Sequence, residues 1–377
     1  MPNTISLERR WLANVLAGKL LPELPDRSSE QVDALIERAQ FEGVTAQCHA
    51  CLKQSGAWER LPEKLRGDLD FLARELAVHA LLREGECRRV LKALRVNGMR
   101  PVVLKGTALA YWLYESPYLR DSADIDLLFE SREQVEQAVA IVQTLGFALL
   151  WRHEPGDLVA QQLVCARPTA DGTSIYLDMH WRLCNAPILD GRLRADELRR
   201  DAIELPRLVA GAQGLSPLHA FLHACMHRLS DLQFGIGDRL KWLYDVHLIA
   251  SRFDSCQWQS LCDLAIERGL AGTCRDGLDA SVVLFDTAFP QDIRSQWVAA
   301  ESRERIDVRR FNGWLYSQWI NCSALPTWPS RLRWLRQRLL PDADYLRDRY
   351  GRDGRSLWRI AWGRLIHGRR RLRSGSN

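Results

Sequence analysis

Between Arg120 and Phe129 the chain sets two carboxylates inside an apolar run, Ala123-Asp124-Ile125-Asp126-Leu127-Leu128-Phe129. Residues two apart on an extended strand share a face. Ala123, Ile125, Leu127 and Phe129 therefore take a buried face, and Asp124 and Asp126 stand side by side on a rigid edge. Their repulsion has to be neutralised, and a divalent cation completed by water and phosphate oxygens does this best. The pattern predicts a strand at the mouth of a cleft suited to phosphate chemistry.

Lys105-Gly106-Thr107 follows another short apolar run, Pro101 to Leu104, and comes seventeen residues before Asp124 at Thr107. Gly106 permits a tight turn and close approach to a phosphate, Thr107 offers a hydroxyl and an amide, and the helix that follows presents its positive end to anions. A third carboxylate is needed near an attacking oxygen, and Asp178 is the candidate. In Ser174-Ile175-Tyr176-Leu177-Asp178-Met179-His180-Trp181, Tyr176, Asp178 and His180 share one face, and Ile175, Leu177 and Met179 the other. This is a half-exposed strand able to aim Asp178 at the cleft of Asp124 and Asp126, with His180 close by.

Around this centre the chain divides into zones. Residues 1–97 read as a helical N-terminal region, with apolar pairs four apart such as Leu72 with Leu76 and Val90 with Leu94. Residues 98–205 form an α/β unit. Its strands are expected over Pro101 to Leu104, Ala123 to Phe129, Phe147 to Trp151, Leu158 to Cys165 and Ser174 to Trp181, with helices over Thr107 to Tyr114 and Arg132 to Leu145, the latter closed by Gly146. Residues 206–345 return to helices, including Pro217 to Leu229, Asp238 to Ser251 and Trp258 to Arg268. The fold class is α+β, a small mixed sheet flanked by helical regions on both sides.

Residues 346–377 form a basic amphipathic tail. From Gly351 onward eight arginines face one acid, a charge of +7, so the net +5 of the chain leaves about −2 for the body. Trp358, Ile360, Trp362, Leu365 and Ile366 interleave with these arginines, which suits a helix docked on the body or touching RNA or an anionic surface. No apolar run approaches the ~18 residues of a membrane span, and residues 1–10 lack the apolar stretch of a signal peptide. The ten cysteines are then expected to be reduced thiols of a cytoplasmic protein. Cys48-His49-Ala50-Cys51 has no second pair at zinc spacing and reads as helix packing. His219, His223 and His227 stack on one helical face and read as packing against the α/β unit. Arg239, Trp242 and Asp245 share a side of their helix, where they close the cleft or form an interdomain salt bridge.

The succession of strand, glycine turn, helix, D-h-D strand and third Asp resembles the nucleotidyltransferase fold shared with polymerase-beta-like enzymes. More narrowly, Leu104-Lys105-Gly106, Arg120 with Asp124-Ile125-Asp126-Leu127-Leu128, Leu177-Asp178-Met179-His180-Trp181-Arg182 and Arg239-Leu240-Lys241-Trp242-Leu243-Tyr244-Asp245 look like the family of uncharacterised nucleotidyltransferases, and the likeness extends to Tyr345-Leu346-Arg347-Asp348-Arg349-Tyr350-Gly351. The resemblance implies transfer of a nucleoside monophosphate from a nucleoside triphosphate, ATP being the expected donor, to an acceptor hydroxyl with release of pyrophosphate. It implies Mg²⁺ or Mn²⁺ on Asp124, Asp126 and Asp178. Nucleotide contacts would come from Lys105, Gly106, Thr107, Arg120 and His180. The turn departs from the Gly-Gly or Gly-Ser usual in the superfamily, although Thr107 keeps the hydroxyl. The acceptor stays open among protein, small molecule and RNA. Two further readings are a non-catalytic nucleotide-binding or scaffold protein of a biosynthetic pathway and a toxin-type enzyme that modifies tRNA.

Overall fold

The computed structural model describes residues 5–19, 28–150, 157–169, 172–232 and 238–339. The basic tail from residue 346 and the Tyr345 to Gly351 stretch lie outside the described residues, as does Trp151 at the end of one expected strand.

Four helices open the chain: α1 (Leu7–Leu16), α2 (Ser29–Glu42), α3 (Thr45–Gln54) and the 34-residue α4 (Glu63–Val96). Ser6 and Ser28 cap the first two, each side chain accepting from a backbone N–H three residues on. Gly43 ends α2 at φ 68°, a left-handed conformation that glycine adopts without steric cost. The sheet-bearing middle follows with β1 (Val102–Val103), α5 (Lys105–Trp112), β2 (Asp124–Leu128), α6 (Arg132–Thr144), β3 (Ala148–Leu149), β4 (Gln162–Pro168), β5 (Ser174–His180), α7 (Ala195–Arg200), β6 (Ile203–Glu204) and β7 (Gln213–Gly214). Helices then resume: α8 (Pro217–Leu232), α9 (Leu240–Ala250), α10 (Ser255–Glu267), α11 (Ala271–Phe285), α12 (Gln291–Glu301), α13 (Val308–Phe311), α14 (Trp314–Ala324) and α15 (Trp328–Leu339).

Among the described residues seven strands form one sheet in the order β3-β4-β5-β2-β1-β7-β6. β2 runs parallel to β5 and β1 parallel to β7, while the other neighbours are antiparallel. The sheet is mixed, as the alternating sequence predicts. β4 begins at Gln162, four residues after the expected start, because the Asp157 carboxylate accepts from the Val159 and Ala160 amides and holds that stretch in a turn.

Two apolar cores form. Ile125, Leu127, Leu177 and Met179 on one face of the sheet pack with Val90 and Leu94 of α4 and Val135 and Val142 of α6. Each fully buried Val or Leu contributes about 1.5–3 kcal/mol relative to exposure. The larger core joins both ends of the chain: Trp11 and Leu12 of α1 and Leu35 of α2 belong to one cluster with Leu243 of α9, Phe285 of α11 and Trp297 of α12. The other face of the central strands, carrying the carboxylates, is left to look toward α8 and α9.

Candidate active site

In-register parallel pairing puts Asp126 opposite Asp178 and Leu128 opposite His180. Paired residues of neighbouring strands project to the same face, so the alternation that buries Ile125 and Leu127 brings Asp126, Asp178 and His180 together. One donor atom from each lies within 4.8 Å of the other two. His180 Nε2 and Asp126 Oδ1 are 2.9 Å apart, and Gln162 Nε2 of β4 donates to Asp178 Oδ2 at 2.6 Å. Asp124, two residues along, is outside this trio and lines a cavity beside it.

Lys105 stands at the first turn of α5 with φ 48°. A left-handed conformation costs a side-chain-bearing residue about 1–2 kcal/mol, and here it accompanies an ammonium that donates to Asp126 Oδ1. The other oxygen, Asp126 Oδ2, is buried with no hydrogen-bond partner. A fully buried carboxylate oxygen without a donor is costly and suits a cation ligand. Two carboxylates and an imidazole fit a divalent cation, oxygen donors accommodating Mg²⁺ or Mn²⁺ and the ring nitrogen favouring the transition metal.

Charge crowding tunes the group. Asp126 beside it, with burial adding, raises Asp124 to about 6. Burial, then Asp126 and Asp124, raise Asp178 to about 7. Burial would push Asp126 up as well, but the Lys105 ammonium and His180 outweigh it and hold this carboxyl below the usual range. Burial and then the nearby Lys105 lower His180, so its imidazole is neutral and able to ligate.

The other predicted residues are placed as follows. The Thr107 hydroxyl donates to the Asp124 carbonyl at 3.1 Å, as does Ser122 Oγ, so both brace the backbone of the first carboxylate. Gly106 packs under Arg120: a Cβ there would meet Arg120 Nη1 and Ser122 Oγ at 3.1 Å. Arg120 is buried and donates from Nε and Nη2 to both oxygens of Asp245 at 2.7–3.0 Å, and from Nη1 to the Asp121 carbonyl. Tyr114 OH donates to the same Asp245 at 2.7 Å. Asp245 thus forms a salt bridge between the loop before β2 and α9.

A cavity of about 360 Å³ separates the sheet edge from the helices. Lys105, Gly106, Asp124 and Asp126 line one wall; His223, His227 and Asp231 of α8 and Arg239, Lys241 and Trp242 at the start of α9 line the other. Of the histidine ladder, His219 is consumed by Ser216 and Glu197, His227 pairs with Asp231 at 3.2 Å, and His223 is buried with Nε2 unpartnered. Sequence reasoning read His223 as packing against the α/β unit and did not single out Asp231 or Lys241 as cavity residues. The i, i+4 spacing of the histidine ladder, continued by Asp231 after His227, was a local signal for this wall. Cys48 and Cys51 are free thiols on α3, away from this group.

The sequence profile of a family described as uncharacterised nucleotidyltransferases matches residues 28–286, which contain the whole site and both of its walls. No curated protein matches the chain.

Proposed function

The chain belongs to the uncharacterised nucleotidyltransferase family, and from that premise we propose that it transfers a nucleoside monophosphate from a nucleoside triphosphate, ATP first among them, to an acceptor hydroxyl. The observation that carries the reading is the convergence of Asp126, Asp178 and His180 beside a cavity walled by Lys105 and Asp124. A non-catalytic scaffold would gain stability by shedding these buried acids.

In this reading Asp126 and Asp178, with Asp124 and His180 alongside, hold Mg²⁺ or Mn²⁺, which when bound supplies charge neutralisation at the phosphates. The acceptor oxygen forms a bond to the α-phosphorus, the bond from that phosphorus to the bridging oxygen breaks, and pyrophosphate leaves. The acceptor proton passes to solvent, since Asp178 is committed to the metal. Lys105 stabilises the charge that builds on the phosphoryl oxygens. Thr107 and Gly106 act by fixing Asp124 and Arg120.

The test is incubation with each α-labelled nucleoside triphosphate and Mg²⁺ or Mn²⁺, with cell lysate as acceptor source. Transfer of label that disappears in Asp126→Asn and Asp178→Asn, while circular dichroism stays native, supports the reading. Equal labelling by either folded variant refutes it.

A further inference from the structure

Lys105 and Arg120, the cations expected to meet the phosphates, are both paired to carboxylates inside the protein, Lys105 to Asp126 and Arg120 to Asp245. A triphosphate carries far more charge than one already engaged lysine can balance. Two other cations line the cavity, Arg239 and Lys241, and among the described residues neither lies within ion-pair distance of a carboxylate. Arg239 Nε is buried without a partner. Its guanidinium lies over the rings of Phe41 and Trp242, 5.2 and 5.6 Å from their centroids, contacts that hold its plane without cancelling its charge. Burial, with Arg120 and Arg239 near, lowers the Lys241 ammonium to about 8.

The same turn is built to keep these side chains in place. The fully buried Glu42 accepts from the Leu240 amide at 2.6 Å, between the two cations, and is itself balanced by Arg9 and Arg38. The adjacent Gly43 leaves room for the Lys241 stem: a Cβ at that position would sit 2.5 Å from Lys241 Cδ. On the same wall of the cavity, His223 is 2 % exposed and offers an unpartnered ring nitrogen, a second sign that the space is shaped for a polar ligand.

We propose that Arg239 and Lys241 form the polyphosphate-binding arm of the cavity, taking the β- and γ-phosphates of the donor and then the pyrophosphate product, while Lys105 stays with Asp126. This rests on the nucleotidyl-transfer reading and assigns within it a task that the Gly106-Thr107 turn does not perform. Arg239 presents its N–H groups in a fixed plane and Lys241 a point charge, the combination that suits two adjacent phosphate groups. Glu42 and Gly43 are positioning residues, acting on the ligand only through Lys241 and the α9 turn.

Titration calorimetry of the full chain with inorganic tripolyphosphate, with ATP plus Mg²⁺ and with adenosine separates the possibilities. Arg239→Gln and Lys241→Met should each weaken tripolyphosphate and ATP by at least about tenfold, the loss of one charge-assisted hydrogen bond, with adenosine unchanged and Lys241→Arg largely restored. Lys241→Met removes a desolvated charge, so its folding is not at risk, and its melting midpoint serves as the control. Wild-type affinity for tripolyphosphate and ATP in both variants overturns the arm while leaving nucleotidyl transfer standing. Equal loss of adenosine also overturns it, since that marks a general distortion. Failure of the wild-type chain to bind any nucleoside triphosphate or tripolyphosphate removes the arm and the transfer reading together.

Discussion

Removing the carboxylate of Asp245 should be among the most damaging single changes in the chain. Arg120 and Asp245 are 6 % and 3 % exposed, and three hydrogen bonds of 2.7–3.0 Å join them. At such separations two unit charges attract by about 6 kcal/mol at an effective dielectric of about 20. Breaking a buried pair from one side costs about 3–5 kcal/mol, because the surviving charge stays desolvated and unpaired. Asp245→Ala also strands the Tyr114 hydroxyl, worth about 1 kcal/mol more. Asp245→Ala and Arg120→Ala should therefore each lose about 3–6 kcal/mol in urea denaturation at neutral pH, followed by tryptophan fluorescence and circular dichroism. The double variant Arg120→Ala with Asp245→Ala should lose much less than the sum, a coupling of about 2 kcal/mol or more. Single losses below about 1 kcal/mol, or additivity within about 0.5 kcal/mol, would refute the buried lock.

Two further outcomes follow from the site. Asp124 and Asp178 are raised to about 6 and about 7, so between the ordinary carboxylate range near 4 and those values the folded chain holds protons that the unfolded chain releases. Buried histidines titrate the other way, burial lowering His223 to about 3, so the carboxylate part is read as a difference: the stability of metal-free wild type relative to Asp178→Asn should fall as pH rises from about 4 to about 7, and divalent-metal affinity should climb over the same interval as the carboxylates empty; thermal melts of both proteins and metal titrations across pH check this. Gly43→Ala should cost about 1–2 kcal/mol through its left-handed backbone and push Lys241 aside, seen as a lower melting midpoint together with weaker binding of ATP.

The acidic centre was legible in the sequence because strand alternation is a local rule: once Ile125 and Leu127 are buried, Asp124 and Asp126 have one face left, and the same holds for Asp178 and His180. The facing wall was legible only in part: the helical spacing of Arg239, Trp242 and Asp245 put them at the cleft, where they line the cavity, but Asp231 and Lys241 reach it through packing that no local period encodes. Arg120 illustrates the difference. Its neighbours Asp121 and Asp124 were natural partners by spacing, but its guanidinium goes to Asp245, 125 residues away, for a buried bidentate bond. Thr107 likewise turns its hydroxyl to the Asp124 carbonyl, a contact between α5 and β2 seventeen residues apart that local pattern does not encode. The strands β6 and β7, two residues each, are too short to show any alternation.

The larger core binds the opening helices to α9, α11 and α12, elements that the ribosome delivers some 200 residues later. During synthesis α1 and α2 must wait with Trp11, Leu12 and Leu35 in water, and because this core closes only across a large sequence separation it is expected to form slowly. Nascent molecules released before about residue 285 would expose those side chains as a sticky surface, a natural handle for holding chaperones and a point at which truncation leads to aggregation.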